Sequence, residues 1–229
     1  MDEDPDLSRL LNEQQIYYRQ RAPIYIASGL AALSEAHGSG LERELAEAFD
    51  AHFRGDVLEL ACGPGTWTPM LAACARSVTA IDGAPEMLEL AAEATPESHV
   101  RFVVADIFGW EPDRRYDAIF FGFWLSHVPQ ARFGAFWATV ARSLAPGGHV
   151  VFVDDAYRTP DELVYGAGSE VIERTLPDGS RHRIVKTAQT ADGLGRRLGE
   201  LGWQVAVHEA GPFFWGLGTH GGERYRSPS

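Results

Sequence analysis

Apolar positions along the first 53 residues recur at helical spacing. Leu7, Leu10, Leu11 and Tyr18 share one face of a segment spanning 7–22, with Arg21 at its aromatic end. Pro23 is expected to stop that helix, because proline lacks the N–H that the next turn needs. Leu41, Leu45, Ala48 and Phe49 mark a second helix over 41–53, after a flexible join at His37-Gly38-Ser39-Gly40. From Asp56 the pattern changes to short, continuous apolar runs. These fall at 57–61, 78–82, 100–105, 117–121 and 149–153, and helical stretches separate them at 66–75, from Pro85 through Leu90, and 130–144. The last of these helices ends at Pro146-Gly147-Gly148. Strands apolar on both faces belong between two helix layers, and strand–helix alternation predicts a doubly wound, mostly parallel α/β sheet.

Beyond this unit the pattern is different. Residues 170–176 and 181–186 flank Pro177-Asp178-Gly179-Ser180 and read as an inserted β-hairpin. A helix over 189–201, weakened by Gly193, Gly195 and Gly199, precedes a strand pair at 203–208 and 213–217. The expected organisation is an N-terminal helical lid (1–40), one α/β domain (41–218, hairpin insertion 168–187) and a loose polar tail (219–229).

Composition restricts the functions open to such a domain. Among 229 residues the formal net charge is −12, which disfavours nucleic acid as a partner, since that binding rests on neutralised phosphates. No basic-then-apolar leader and no membrane-length apolar run is visible, so a cytoplasmic protein without membrane contact is expected. Cys62 and Cys74 are too few for a zinc site and are expected to be reduced thiols. A monomer or homodimer acting on a small molecule fits this frame.

The candidate chemistry lies at the first strand–turn–helix. Glycines at 63 and 65 permit a sharp turn and close approach to a ligand, and Asp82 ends the next strand where it can accept both hydroxyls of a ribose. The dinucleotide fingerprint would need a third glycine where Thr68 stands. Glu59-x-Ala61-x-Gly63-x-Gly65 instead resembles the acidic-x-small-x-Gly-x-Gly signature of class I S-adenosylmethionine-dependent methyltransferases. The resemblance covers roughly residues 40–155 and includes Asp82, Asp106 and Pro146-Gly147-Gly148 in order. It implies a seven-stranded Rossmann-like sheet with an antiparallel last strand, S-adenosylmethionine as cofactor and S-adenosylhomocysteine as product. It places Glu59, Ala61, Gly63 and Gly65 by the cofactor's amino-acid and ribose end. Asp82 falls on the ribose, Ala84 and Met87 on the adenine, Asp106 on the adenine amino group, and Gly83, Ile107 and Phe123 beside the cofactor.

The acceptor is written less clearly. Phe121 to His127 carries no carboxylate of the kind that the metal-assisted subclass uses, so a metal-free site is expected. Phe123 and Trp124 can wall a flat acceptor, Ser126 offers a polar contact, and His127 is the candidate general base, an unperturbed histidine titrating near pH ~6.5. A carboxylate acceptor would need no base. Tyr17, Arg21 and Tyr25 match the family's N-terminal lid, although Ile26 stands where an acid is usual; Tyr17 and Arg21 are assigned to the cofactor and Tyr25 to the substrate. The hairpin's Arg174, Arg181, His182, Arg183 and Lys186 can hold an anionic group, but a solvated charged hairpin is the plainer reading. The leading expectation is O-methylation of a small molecule. N- or C-methylation, a non-methylating cofactor-binding protein and a nicotinamide oxidoreductase remain open.

Overall fold

A computed structural model describes residues 5–156 and 158–221, with 26–39 and 161 by backbone alone. Seven strands form the main sheet: β1 (Asp56–Leu60), β2 (Ser77–Asp82), β3 (Val100–Val104), β4 (Tyr116–Gly122), β5 (Leu144–Asp155), β8 (Trp203–Ala210) and β9 (Phe213–His220). Their order is β3-β2-β1-β4-β5-β9-β8. The first five are mutually parallel, and β9 runs antiparallel to both β5 and β8.

Side-chain alternation explains the layering. Val57, Ala80, Ala118, Phe120 and Val151 point into one apolar core, while Leu58, Ile81, Ile119, Phe121 and Val150 point into another. Helices α2 (Leu41–His52), α3 (Thr68–Cys74) and α4 (Pro85–Ala94) cover the first face. Helices α5 (Phe133–Ser143) and α6 (Ala191–Glu200) cover the second, where Trp137 is fully buried against Phe121, Phe152 and Trp203. Each such side chain stabilises the fold by roughly 1.5–3 kcal/mol, so the sheet is a rigid platform for whatever its strand ends carry.

The N-terminal region corrects two expectations. Helix α1 runs from Pro5 to Ser39 with Pro23 inside it, and no flexible join occupies 37–39. Proline in a helix interior costs about 3 kcal/mol, but packing of the turn before it holds the helix. Ala22 is buried with Ala84, which caps α4, and with Met87 in it, and Arg19 pairs with Glu86. The break comes at Gly40, whose φ of 78° leaves the right-handed helical region. Two smaller expectations also shift. Pro146-Gly147-Gly148 lies within β5, where the register against β4 slips between Tyr116 and Ala118, and a Cβ at Gly148 would sit 2.8 Å from Asp117 O. Thr219 and His220, assigned to a loose tail, pair with Gln204 and Trp203, and residues 222–229 lie outside the described residues.

The hairpin β6 (Val171–Thr175) and β7 (Arg181–Val185) forms a sheet of its own. It is fastened to α1. Gln14 accepts from Val185 N at 2.9 Å, and Glu13 accepts from Arg183 N at 2.6 Å and pairs with its guanidinium. Helix α1 also crosses to the other side of the sheet end, where Gln15 donates to Gly83 O at 2.9 Å. It thus bridges the strand ends and the hairpin.

Candidate functional site

The strand order reverses at β1, flanked by β2 and β4, and ligand clefts in open α/β sheets form at such a point, outside the carboxyl ends of the strands. A cavity of about 530 Å³ lies there, within the range of small-molecule sites.

Its first wall is the turn after β1. Ala61, Gly63 and Gly65 have φ of 53°, 55° and 83°. Ala61 in this region stores strain on the order of 1 kcal/mol, which the surrounding hydrogen bonds must hold. Cys62 N donates to Ile81 O at 3.0 Å and Gly63 N to Asp82 Oδ2 at 2.9 Å, while Ala84 N donates to Asp82 Oδ1 at 2.8 Å. Asp82 therefore fixes both the Gly-rich turn and the start of α4, and it lines the cavity. Burial raises its pKa. A Cβ at Gly63 would meet nothing within 4 Å, so this backbone lies open to a ligand. Gly65 serves a different purpose: a Cβ there would sit 2.9 Å from Ala91 Cα, and it does not line the cavity.

The walls beyond are apolar with one acid. Met87 and Ile107 are buried and line the cavity, and Asp106, beside them, accepts from Phe108 N at 3.1 Å. Gly83 also lies on the wall. Glu59 does not. It lies below the turn, almost wholly buried, accepting from Thr68 Oγ at 2.7 Å, and its Oε1 has no partner among the described residues. Burial, with the nearby Asp82 charge, pushes its pKa up to about 8.

The opposite wall starts at the end of β4. Gly122 lets the Trp67 indole cross the strand: a Cβ would fall 2.7 Å from Trp67 Nε1. Trp67 stacks on Phe123 at 6.5 Å, and Phe123 itself has a φ of 55°. Trp124 follows, with its ring 5.5 Å from that of Phe108. Trp67 and Gly122 escaped the sequence reading, because the need for glycine at 122 appears only once Trp67 is placed above it.

The polar end differs from expectation. His127 lines the cavity but is buried, and its Nδ1 lies 2.6 Å from Val185 O while its Nε2 lies 2.8 Å from the Tyr18 hydroxyl. Burial and the Lys186 charge lower its pKa to about 3. Both ring nitrogens are engaged, so the unperturbed titration near neutrality assumed from sequence does not hold. Tyr17 is displaced too. It packs with Ile172, Leu176 and Ile184 of the hairpin, and Tyr18 takes the cavity side. One helical residue turns the face by about 100°, so two adjacent tyrosines gave no sequence signal for choosing between them. Arg21 and Tyr25 do line the cavity, with the guanidinium 4.6 Å above the ring. Ser126 is buried away from it, its N–H donating to Asp154 Oδ2 at 2.7 Å.

The hairpin is solvated only in part: Arg181 and Arg183 are exposed and pair with Glu173 and Glu13. Arg174 and Lys186 reach the cavity. Lys186 contacts Asp155 and donates to Ser126 Oγ at 3.3 Å, which among the described residues uses two of its three ammonium N–H donors. Arg174 contacts Glu162 through one of its guanidinium nitrogens. Asp154 and Asp155 hold the Lys186 ammonium charged although it is buried. Among the described residues no three His, Cys, Asp or Glu side chains gather as a metal-ligand set, and no helix is long and apolar enough to cross a membrane.

These features agree with what is found in known proteins. The family described as "Methyltransferase domain" matches residues 57–148. Two curated relatives are named ubiquinone biosynthesis O-methyltransferase. The one from Xanthomonas oryzae pv. oryzae is 32% identical over 145 residues, covering 60% of this chain and 59% of the relative. The one from Xanthomonas campestris pv. campestris is 34% identical over 153 residues, covering 63% and 62%. The chain thus spans about three-fifths of these relatives. Similarity to the solved complex of DhpI with S-adenosylhomocysteine extends further: 41% identity, 93% of this chain, 98% of that chain and a TM-score of 0.81.

Proposed function

Because this chain belongs to the class I S-adenosylmethionine-dependent methyltransferase family, we propose that it methylates an oxygen of a small acid already ionised at neutral pH. The observation that carries this reading is the pairing of Arg174 and Lys186 with a histidine that is a poor base. A phenol or alcohol must lose a proton on transfer, and His127, with Nε2 filled and its pKa at about 3, is badly matched to that task. A carboxylate or a phosphorus oxyanion brings its own lone pair and needs charge-assisted hydrogen bonds to hold it.

The cleft fits the methyl donor. Gly63 forms an open cradle, Asp82 and Asp106 are acceptors suited to ribose hydroxyls and an adenine amino group, and Met87 and Ile107 are apolar walls. We assign Ala61, Gly63, Asp82, Gly83, Met87, Asp106, Ile107 and Phe123 to it, with Arg21 and Tyr25 closing the cleft from α1. S-Adenosylmethionine supplies a methyl group on a sulfonium, whose leaving group is neutral. The protein's remaining work is orientation and exclusion of water. Arg174 and Lys186 bind and orient the acceptor oxygen. Trp67, Phe123 and Trp124 keep water out, and no proton is moved at any side chain. The relatives named as O-methyltransferases support oxygen as the acceptor atom.

A labelled-methyl screen over carboxylic acids, alkyl phosphates and phosphonates, phenols and amines tests this, run with purified protein at several pH values. Labelling of the anionic acids with little pH dependence above pH 6 is expected. Labelling confined to phenols or amines overturns the reading.

A further inference from the structure

We propose that Tyr18 is a specificity-determining residue whose phenol oxygen faces the acceptor only as a hydrogen-bond acceptor, so that the preferred substrate carries an O–H or N–H beside its anionic oxygen. The argument begins at the hairpin. Val185 O can only accept, and it lies 2.6 Å from His127 Nδ1. Nδ1 must therefore carry the ring proton. Nε2 is then a bare lone pair, and the only proton available along the 2.8 Å contact to Tyr18 is the phenol's own. Tyr18 donates into the protein and is left with lone pairs toward the cavity that it lines.

The arrangement is held from several sides. Val185 is fixed in β7 and accepts no slack from α1, since its N–H donates to Gln14 Oε1 at 2.9 Å. The Tyr18 and His127 rings meet edge-on at 5.5 Å, and Tyr17 meets Tyr18 at 5.1 Å. Burial raises the phenol pKa well above its ordinary value and lowers that of the imidazole, so neither group changes its protonation near neutrality. The positive charges of Arg21 and Arg174 act on both groups. Arg174, Lys186 and Tyr18 line the same cavity, and they ask for opposite things: the cations for an acceptor, Tyr18 for a donor. A hydroxy or amino acid supplies both. A plain acid leaves the Tyr18 oxygen buried without a partner, and unpaired polar atoms are what make such sites selective.

The inference rests on the anionic-acceptor reading for its choice of probes, and two measurements separate them. Nitrogen-15 NMR of the ring of His127, with His127→Gln for assignment, reads the tautomer without any acceptor. A protonated Nδ1 and bare Nε2 is expected, and a protonated Nε2 overturns the proposal. Calorimetry on the protein loaded with S-adenosylhomocysteine then compares 3-hydroxypropionate with propionate, and glycerol 1-phosphate with propyl phosphate. The hydroxylated member of the binding pair should bind about tenfold tighter, the worth of one good hydrogen bond. Tyr18→Phe keeps the ring and should abolish that preference, weakening the hydroxylated member alone. Equal binding in the unsubstituted protein, or equal losses in Tyr18→Phe, overturns the proposal. If neither pair binds, the anionic-acceptor reading falls, and the tautomer alone decides for or against Tyr18.

Discussion

The two ends of the cavity are built in different ways. Most of the proposed nucleoside end comes from one stretch of chain, Ala61 to Ile107, in which successive strand ends deliver their residues directly from the sheet. The acceptor end is assembled from α1, the turn after β4 and the hairpin, through contacts such as Tyr18–His127 and Gln14–Val185 that join residues more than a hundred positions apart. The first depends on backbone geometry that a few glycines and one acid specify. The second depends on side-chain hydrogen bonds across three elements that touch only in the folded protein.

Breaking the nucleoside end should have the largest effect. Asp82→Ala removes the acceptor for two backbone N–H groups together with the proposed ribose contact. Affinity for S-adenosylmethionine should fall about a hundredfold, roughly 3 kcal/mol. Calorimetry within threefold of the unsubstituted protein would remove Asp82 from the site. At the acceptor end, Lys186→Met should reduce kcat/KM for an anionic acceptor by about thirtyfold, roughly 2 kcal/mol, while S-adenosylhomocysteine affinity stays within threefold. Equal losses of both would show that the two ends are one unit.

Smaller effects sharpen the contrast within the turn. Gly65→Ala puts a Cβ against the α4 backbone and should cost about 1–3 kcal/mol of stability, read as a lowered Tm. Gly63→Ala has space for its Cβ, so its stability cost should be only the strain of its 55° φ, about 1 kcal/mol, and it should lower cofactor affinity more than stability. If the two substitutions behave alike, the division of labour between these glycines fails.

The ends should also differ in how pH acts on them. Glu59 is raised from 4.5 to about 8, so between those values the folded state holds a proton that the unfolded chain has lost, and stability falls as pH rises. His127 is lowered from 6.5 to about 3, so between those values the unfolded chain binds the extra proton, and stability falls as pH drops below 6.5. Each group contributes a slope of at most about 1.4 kcal/mol per pH unit. Urea unfolding of ligand-free protein from pH 5 to 8 should show Glu59→Gln flattening the loss on the alkaline side. An unchanged slope would mean that Glu59 is already ionised.

The same contrast explains what could be read from sequence. Apolar runs such as Val78–Ile81 and glycines at 63 and 65 are local signals, and they identified the sheet and the turn. The role of Gly65 was less visible, because its neighbour Ala91 belongs to the next helix but one. At the acceptor end, charge was legible but direction was not. Arg174 and Lys186 read as solvated cations until β7 placed Lys186 beside Asp155. Pro23 misled because its local cost is real and is offset by α4, more than 60 residues away.

The hairpin pairs with itself and with no strand of the main sheet. Its residues can therefore be exchanged without shifting any register on which the Gly-rich turn depends. In evolutionary terms, on the proposed reading, part of the choice of what is methylated is heritable apart from the means of methylating it. On the proposed reading a lineage can explore part of the acceptor's recognition by altering the fifteen residues from Val171 to Val185, Arg174 among them, while Tyr18, His127 and Lys186, outside that stretch, hold the rest.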